Sequence, residues 1–125
     1  MICGVGVDLV DVPRFARVVA RLGEGFLERL FTARELDAGC RARRPTEHFA
    51  ARFAAREAVL KALGTGLAGA MSWKDIEVRP ACAGAFTLEL SGAVQDAATA
   101  LRVRRVHLAL ATTRKLAAAS VILED

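Results

Sequence analysis

The sequence predicts a mixed α/β domain of the α+β type, in which a small antiparallel or mixed sheet packs against one long helix and several short ones. Three observations support this fold class. The 125 residues, 54% of them hydrophobic, suffice for one core, so we expect a single domain over residues 1–125. Segments of alternating hydrophobicity stand near both ends of the chain, and segments of helical periodicity lie between them.

The first strand is predicted from the alternation in residues 4–9. Val5, Val7 and Leu9 alternate with two glycines and Asp8. We expect the three apolar residues to form the packed face of the strand. The glycine face is then open to close approach by another group, and it ends in the carboxylate of Asp8.

Two short helices are predicted to follow. Asp11 is placed to cap the first, because the residues after it show the i, i+3, i+4, i+7 pattern: Phe15, Val18, Val19 and Leu22. Arg14, Arg17 and Arg21 share the other side of this helix. Thr32 and Glu35 have the spacing of a capping box and predict the start of the next helix.

A longer helix is predicted between Thr46, as its cap, and Gly64, as its end. Its apolar stripe consists of Phe49, Phe53, Leu60 and Leu63. Glu57 and Lys61 fall near the edge of this stripe, where both can face a cleft beside the core. Arg56 falls near the middle of the stripe, so its guanidinium must either snorkel to the surface or meet an anion.

The second half of the chain is predicted to alternate between strand and helix. We expect strands at residues 73–79 and 86–90, and a helix at 93–101 capped by Ser91. The last two strands cover residues 106–110 and 116–123, joined by a turn.

The net charge of +4 comes almost wholly from arginine and indicates an anionic partner, which can be nucleic acid, a nucleotide or an acidic protein. No aromatic residues are interleaved with the basic ones, which disfavours nucleic acid. The three cysteines are scattered, and no apolar run is long enough for a membrane span. We therefore expect a cytoplasmic protein without a membrane partner.

The chemistry is indicated by Asp8, Glu57 and Lys61. If the fold brings them together, two carboxylates can hold a hard divalent cation while the lysine meets phosphates that the cation bridges. Taken singly, Asp8 is an ordinary strand-end residue. Glu57 and Lys61 alone are an i, i+4 pair of the kind that stabilises a helix by ~0.3 kcal/mol.

The order and spacing of several motifs extend this reading. They are GVGVDLV at residues 4–10, PRF at 13–15, LFT at 30–32 with EL at 35–36, ARFAAREA at 51–58 and KALGTG at 61–66. In these motifs the chain resembles the holo-acyl-carrier-protein synthases, the small bacterial type of 4′-phosphopantetheinyl transferase, from its first strand to its last.

The resemblance implies the 4′-phosphopantetheinyl transferase fold and transfer of the phosphopantetheine arm of coenzyme A to a serine of an apo acyl carrier protein. Asp8 and Glu57 would ligate Mg²⁺, and Lys61 would lie against the phosphates. The further coenzyme A contacts would come from Arg52, Arg56, Gly64, Thr65 and Gly66. Glu57 and a metal-held hydroxide are both candidates for the base that activates the serine.

The resemblance also implies partners. Arg14, Arg17 and Arg21 would grip an acidic carrier protein, although a row of arginines on a helix is by itself most often a solvated face. Gly64, Thr65 and Gly66 are similarly explained either by phosphate contact or by a helix stop. Family members of this length are homotrimers with coenzyme A in the cleft between neighbours.

The sequence departs from the family pattern in three places. Arg56 replaces a lysine before the glutamate, and Gly84-Ala85-Phe86 replaces Gly-Lys-Pro. Ala109, Ala111 and Thr112 stand where the family has Ser-x-Ser/Thr-His. The alternative function is therefore a divergent member that binds carrier or coenzyme A with weak or no transfer.

Overall fold

The computed structural model describes residues 1–125 as five strands and five α-helices. In chain order they are β1 (Ile2–Asp11), α1 (Val12–Leu22), α2 (Glu24–Leu30), α3 (Ala33–Arg41), α4 (Pro45–Leu63), β2 (Ile76–Pro80), β3 (Phe86–Leu90), α5 (Gly92–Ala100), β4 (Arg105–Thr112) and β5 (Leu116–Glu124). None of the helices combines the length and the apolar composition that crossing a membrane requires.

The strands form two antiparallel sheets. The larger has the order β1-β5-β4, and β2 pairs with β3 in a separate hairpin. The antiparallel option of the prediction is therefore confirmed, with the strands divided between two sheets. One face of the larger sheet packs against α4, a helix of 19 residues with buried positions on most of its circumference. This face is called the inner face below, and the opposite one the outer face.

The orientation of β1 is the reverse of the one predicted. Its glycines lie on the inner face, where a Cβ added to Gly6 would be 1.9 Å from the carbonyl oxygen of Ala58. On the outer face, Val5 is 57% exposed and Leu9 65%. The helix backbone thus comes so close to the strand that only glycine fits between them. The group that approaches the bare face is α4 itself.

Several helix boundaries agree with their local signals. Asp11 Oδ1 accepts a hydrogen bond of 2.8 Å from the Arg14 backbone N–H, and Thr32 and Glu35 form the capping box. Gly64 ends α4 in the left-handed conformation, with φ of 75°. These ends are determined by residues close in sequence, which explains why the sequence predicts them.

Other boundaries differ from the prediction. Helix α4 begins at Pro45, so Thr46 lies inside its first turn rather than at the cap. Residues Trp73–Asp75 form a 3₁₀ turn, because Ser72 and Asp75 cap each other, and the strand starts only at Ile76. Ser91 precedes α5 without a side-chain capping bond. Helix α2 was not predicted.

Arg56 meets an anion in the interior. Its side chain is fully buried, and its guanidinium donates through both terminal nitrogens to the carboxylate of Glu35. A third bond, of 3.0 Å, goes from Nε to the carbonyl of Trp73, and the group lies over the Phe31 ring. The prediction that Arg56 binds coenzyme A is therefore wrong, because its guanidinium is enclosed and already paired.

We expect Arg56→Met to lower the free energy of unfolding by about 3–5 kcal/mol, because it leaves the Glu35 carboxylate buried without its counter-charge. Urea denaturation measures the change. As a control, Arg41→Met removes a partner from the Arg41–Asp37 pair, whose side chains are 78% and 64% exposed. The control should change stability by less than about 0.5 kcal/mol. Equal effects of the two substitutions would contradict a structural role for the buried pair.

Candidate active site

Asp8 and Lys61 meet where β1 passes α4. The Lys61 ammonium donates to Asp8 Oδ1 at 2.7 Å and to the Val7 carbonyl at 3.1 Å. The Asp8 side chain is 13% exposed and that of Lys61 52%. The carboxylate is thus held at the rim of the core, whereas the lysine reaches it from solvent. The contact depends on the close packing at Gly6, which lies two residues before Asp8 on the same strand face.

Glu57 lies one turn before Lys61 on α4 and belongs to the same cluster. Burial, reinforced by the negative charge of Asp8, raises the pKa of the Glu57 carboxyl above its ordinary value, and Lys61 offsets part of this effect. The hydrogen bond to Asp8 raises the pKa of Lys61. The fold therefore gathers two carboxylates and one ammonium, as predicted from residues about fifty positions apart in sequence.

A cavity of about 560 Å³ opens at this cluster. Its polar end contains Asp8, Glu57 and Lys61, with Asp11 and Arg14 beside them. The other walls are apolar and include Val18, Phe15, Phe26 and Phe53. Such a cavity can hold a charged group at one end and an uncharged chain or side chain along the rest.

The donor set fits Mg²⁺. This ion is usually held by one or two carboxylates together with water and substrate phosphates, rather than by a cage of protein ligands. No group of three or more histidine, cysteine or acidic side chains converges in the chain, so a cation would complete its shell from water or phosphate. The Lys61 ammonium is already bonded to one of these two carboxylates, at 2.7 Å from Asp8 Oδ1.

The arginines of α1 lie next to the cavity. Arg14, Arg17 and Arg21 are exposed and, with Val18, line a groove of about 370 Å³. Arg14 borders both this groove and the cavity. A negatively charged surface seated on the groove would therefore reach the mouth of the cavity.

The remaining predicted contacts are not part of the cavity wall. The Arg52 guanidinium lies 4.8 Å from the ring centre of Phe86, and burial lowers the pKa of Arg52. Gly64, Thr65 and Gly66 are exposed and directly follow α4, and the Thr65 hydroxyl donates to the Gly66 carbonyl at 2.8 Å. Within one chain, neither group completes the site around Asp8.

The late alanines occupy a different face. Ala109 and Ala111 lie on the outer face, paired with Ser120 and Ala118 of β5. Asp8 lies on the inner face of the opposite edge strand. The departure from the family pattern therefore leaves the Asp8, Glu57 and Lys61 cluster of the same chain unaltered.

Sequence reasoning did not find the apolar wall of the cavity. Phe26 belongs to α2, which lacked a recognised start signal and follows Gly23 without a side-chain cap. Phe15 and Phe53 follow the helical periodicity that predicts inward packing, and the cavity borders both of them. Periodicity marks residues that pack inward and does not show where packing is incomplete.

Comparison with known proteins identifies the family of the chain. The family model described as the 4′-phosphopantetheinyl transferase superfamily matches residues 4–119. The holo-[acyl-carrier-protein] synthase of Koribacter versatilis is 44% identical over 125 residues, which cover all of both chains.

Two solved structures are similar over the whole chain. The crystal structure of holo-[acyl-carrier-protein] synthase from Neisseria meningitidis superposes with a TM-score of 0.92 at 32% identity and covers 100% of both chains. The synthase from Bacillus anthracis, in complex with CoA (3′,5′-ADP), gives a TM-score of 0.81 at 34% identity, over 100% of this chain and 98% of that one. The full-length family match and the carboxylate–lysine cluster together lead to one conclusion: the chain belongs to the 4′-phosphopantetheinyl transferase superfamily.

Proposed function

We propose that this protein is a holo-[acyl-carrier-protein] synthase. It transfers the 4′-phosphopantetheine group of coenzyme A to a serine of an apo acyl carrier protein and releases adenosine 3′,5′-bisphosphate. The observation that carries the proposal is the convergence of Asp8, Glu57 and Lys61 at the polar end of one cavity. Relatives named for this activity match the chain over its full length.

The residues of the cavity have different roles in this reaction. Asp8 and Glu57 would hold Mg²⁺, which supplies positive charge to the pyrophosphate when bound. Lys61 and Arg14 add positive charge at the same end of the cavity. The carrier serine oxygen attacks the phosphorus next to the pantetheine arm, the bond from that phosphorus to the bisphosphate oxygen breaks, and the serine proton passes to a base.

A mass-shift assay tests the proposal. The purified chain is incubated with coenzyme A, MgCl₂ and apo acyl carrier protein, and the mass of the carrier is measured by mass spectrometry. We expect a gain of one phosphopantetheine group, which chelation of the metal by EDTA prevents. A panel of carriers from fatty acid, polyketide and peptide pathways identifies the preferred substrate. No gain on any carrier would contradict transferase activity.

The second candidate is a divergent member that binds without efficient transfer. It is motivated by Ala109, Ala111 and Thr112, which discard two hydroxyls and an imidazole relative to the family pattern. Binding of coenzyme A or carrier in calorimetry, without turnover in the mass-shift assay, would select this candidate. Ala109 and Ala111 lie on the outer face, so a direct effect of their missing hydroxyls on transfer has to arise at a neighbouring subunit's site.

We further propose that the protein is a homotrimer that assembles through the outer face of the larger sheet. This face is apolar and exposed along β1, where Val5, Val7 and Leu9 are 57%, 55% and 65% exposed. It continues across Ile122 and Ala118 to Ala109 and Ala111, and Ser120 is a polar residue between Val7 and Ala109. A mainly apolar exposed patch of this kind marks an interaction site, and burial in a trimer would remove it from water.

Val5→Asp is expected to convert the trimer to monomers, since it places a charge in the middle of the proposed interface. Light scattering coupled to size exclusion should give three times the chain mass of 13.3 kDa for the wild type and the single-chain mass for the variant. Leu101→Asp is the control, because Leu101 is 40% exposed and follows α5, outside the sheet. A monomeric wild type would refute the assembly.

The groove on α1 is proposed to bind the acidic carrier. We expect Arg17→Glu combined with Arg21→Glu to raise KM for the carrier by roughly tenfold or more, because both changes place negative charge on the docking surface. The effect on kcat should be smaller, since neither residue lines the cavity. Arg102→Glu, which alters an exposed arginine before β4, should leave KM unchanged. Equal KM values for the carrier in all variants would show that the carrier docks on another surface.

We place this activity in the cytoplasm and expect no nucleic acid partner. Cys3, Cys40 and Cys82 are all exposed and unpaired, which suits a reducing compartment. The groove bordered by the basic residues of α1 has no aromatic side chain on which a base could stack, which favours an acidic protein over nucleic acid.

A further inference from the structure

The Lys61 ammonium lies where it would compete with a metal ion for Asp8. Its ammonium is 2.7 Å from Asp8 Oδ1 and 3.1 Å from the Val7 carbonyl, and its positive charge also acts on the Glu57 carboxyl. The Asp8 carboxylate is only 13% exposed, so it has little free surface to offer a second cation. A divalent ion at Asp8 would have the ammonium as its immediate neighbour.

Two positive charges at one largely buried carboxylate repel each other strongly. Lys61 has the means to move away, because its side chain is 52% exposed and ends in a compact charge on a flexible four-carbon stem. Phosphate oxygens at the polar end of the cavity would give the ammonium another anion to pair with. Without these phosphate oxygens, the Lys61 ammonium would lose its ion-pair partner if it moved away from Asp8.

We propose that Lys61 is a tethered counter-ion that occupies the place of the metal in the free protein. The pyrophosphate of coenzyme A draws the Lys61 ammonium away from Asp8, which then becomes available to the metal. The metal and coenzyme A therefore bind cooperatively. This inference rests on the proposed function, since it assigns the binding order at the same site. It also explains how two carboxylates remain close together at the rim of the core without a metal: the lysine compensates their repulsion.

Cooperativity of this kind is reciprocal. If coenzyme A raises the affinity for the metal by some factor, the metal raises the affinity for coenzyme A by the same factor, and couplings of about 5–150-fold are typical. Removing the lysine charge has two opposite consequences. It frees the carboxylates for the metal when coenzyme A is absent, so metal affinity rises. It also abolishes most of the increase in metal affinity that coenzyme A otherwise provides.

The test uses Mn²⁺ as a spectroscopic probe of the metal site, with free and bound ion distinguished by electron paramagnetic resonance. Affinity is measured for wild type and Lys61→Met, each with and without saturating coenzyme A. We expect the variant alone to bind Mn²⁺ roughly tenfold more tightly than wild type alone. We also expect coenzyme A to strengthen Mn²⁺ binding at least about fivefold more in the wild type than in the variant. No turnover is required.

Two controls define the outcome. Lys74→Met removes the same charge from an exposed position outside the cavity and should leave Mn²⁺ affinity at the wild-type value. Asp8→Asn should eliminate the specific Mn²⁺ signal in all conditions. If wild type binds Mn²⁺ but Lys61→Met binds it equally or more weakly without coenzyme A, the counter-ion role is overturned and the proposed activity stands. If wild type binds no Mn²⁺ with or without coenzyme A, both the metal site and this inference fail.

Discussion

Glu57→Gln is expected to lower kcat/KM for phosphopantetheine transfer by at least about 100-fold. Glutamine has the size of glutamate but no charge, so the site would lose one of the two carboxylates proposed to hold the metal, together with a candidate base. Removing one hydrogen-bond donor that stabilises a transition state typically costs about 10²–10³ in rate, and losing a ligand of the charge-stabilising metal should cost at least the lower of these factors. The mass-shift assay under multiple-turnover conditions measures the loss.

The same substitution should not weaken the fold. Burial and Asp8 raise the pKa of Glu57 in the folded state, so the ionised carboxylate is disfavoured there relative to the unfolded chain. Stability therefore falls as pH rises from the unfolded pKa through the folded one, and a neutral glutamine escapes this loss. At neutral pH the variant should melt at or above the wild-type temperature. Loss of activity would then reflect chemistry rather than unfolding.

Glu47→Gln provides a matched control on the same helix. Glu47 lies in the first turn of α4, pairs with Arg44 at 3.7 Å and does not line the cavity. Its replacement should leave transfer within about twofold of wild type. If Glu57→Gln also retained transfer within about tenfold of wild type, Glu57 would be excluded as a metal ligand and as the base.

Gly6→Ala is expected to destabilise the protein by about 3 kcal/mol or more. The added Cβ would lie 1.9 Å from the Ala58 carbonyl oxygen and 2.8 Å from the Ala62 backbone nitrogen. Both are backbone atoms, so no side chain can rotate out of the way and the strand must move from the helix. Overpacking a core typically costs 1–3 kcal/mol, and a collision with fixed backbone belongs at or above the upper end.

The consequence of Gly6→Ala extends to the site, because the same strand–helix contact brings Asp8 to Glu57 and Lys61. Urea denaturation measures the stability change, and the mass-shift assay at low temperature measures transfer by the folded fraction. Gly25→Ala is the control: apart from its chain neighbours and the backbone of its own helix, no atom lies within 4 Å of its added Cβ, and the residue is inside α2. It should be neutral or stabilise the protein by up to about 1 kcal/mol. A tolerated Gly6→Ala would contradict the close packing.

Short-range signals allowed much of this protein to be predicted. The cap at Asp11, the capping box at Thr32 and the stop at Gly64 depend on atoms within a few residues of each other, and all three lie where the sequence indicates. The cluster of Asp8, Glu57 and Lys61 was predicted because motif resemblance supplied the long-range pairing that local patterns lack.

The sequence by itself determined the helices with strong caps, the approximate positions of the strands and the residues available for chemistry. The tertiary structure decided which face of β1 is buried, that Arg56 pairs with Glu35 rather than with a ligand, and that the late alanines share an exposed face with Val5. An alternating strand has two equivalent assignments of inside and outside, and the choice between them depends on how closely α4 approaches. That distance is set by contacts between residues more than fifty positions apart, which no local pattern contains.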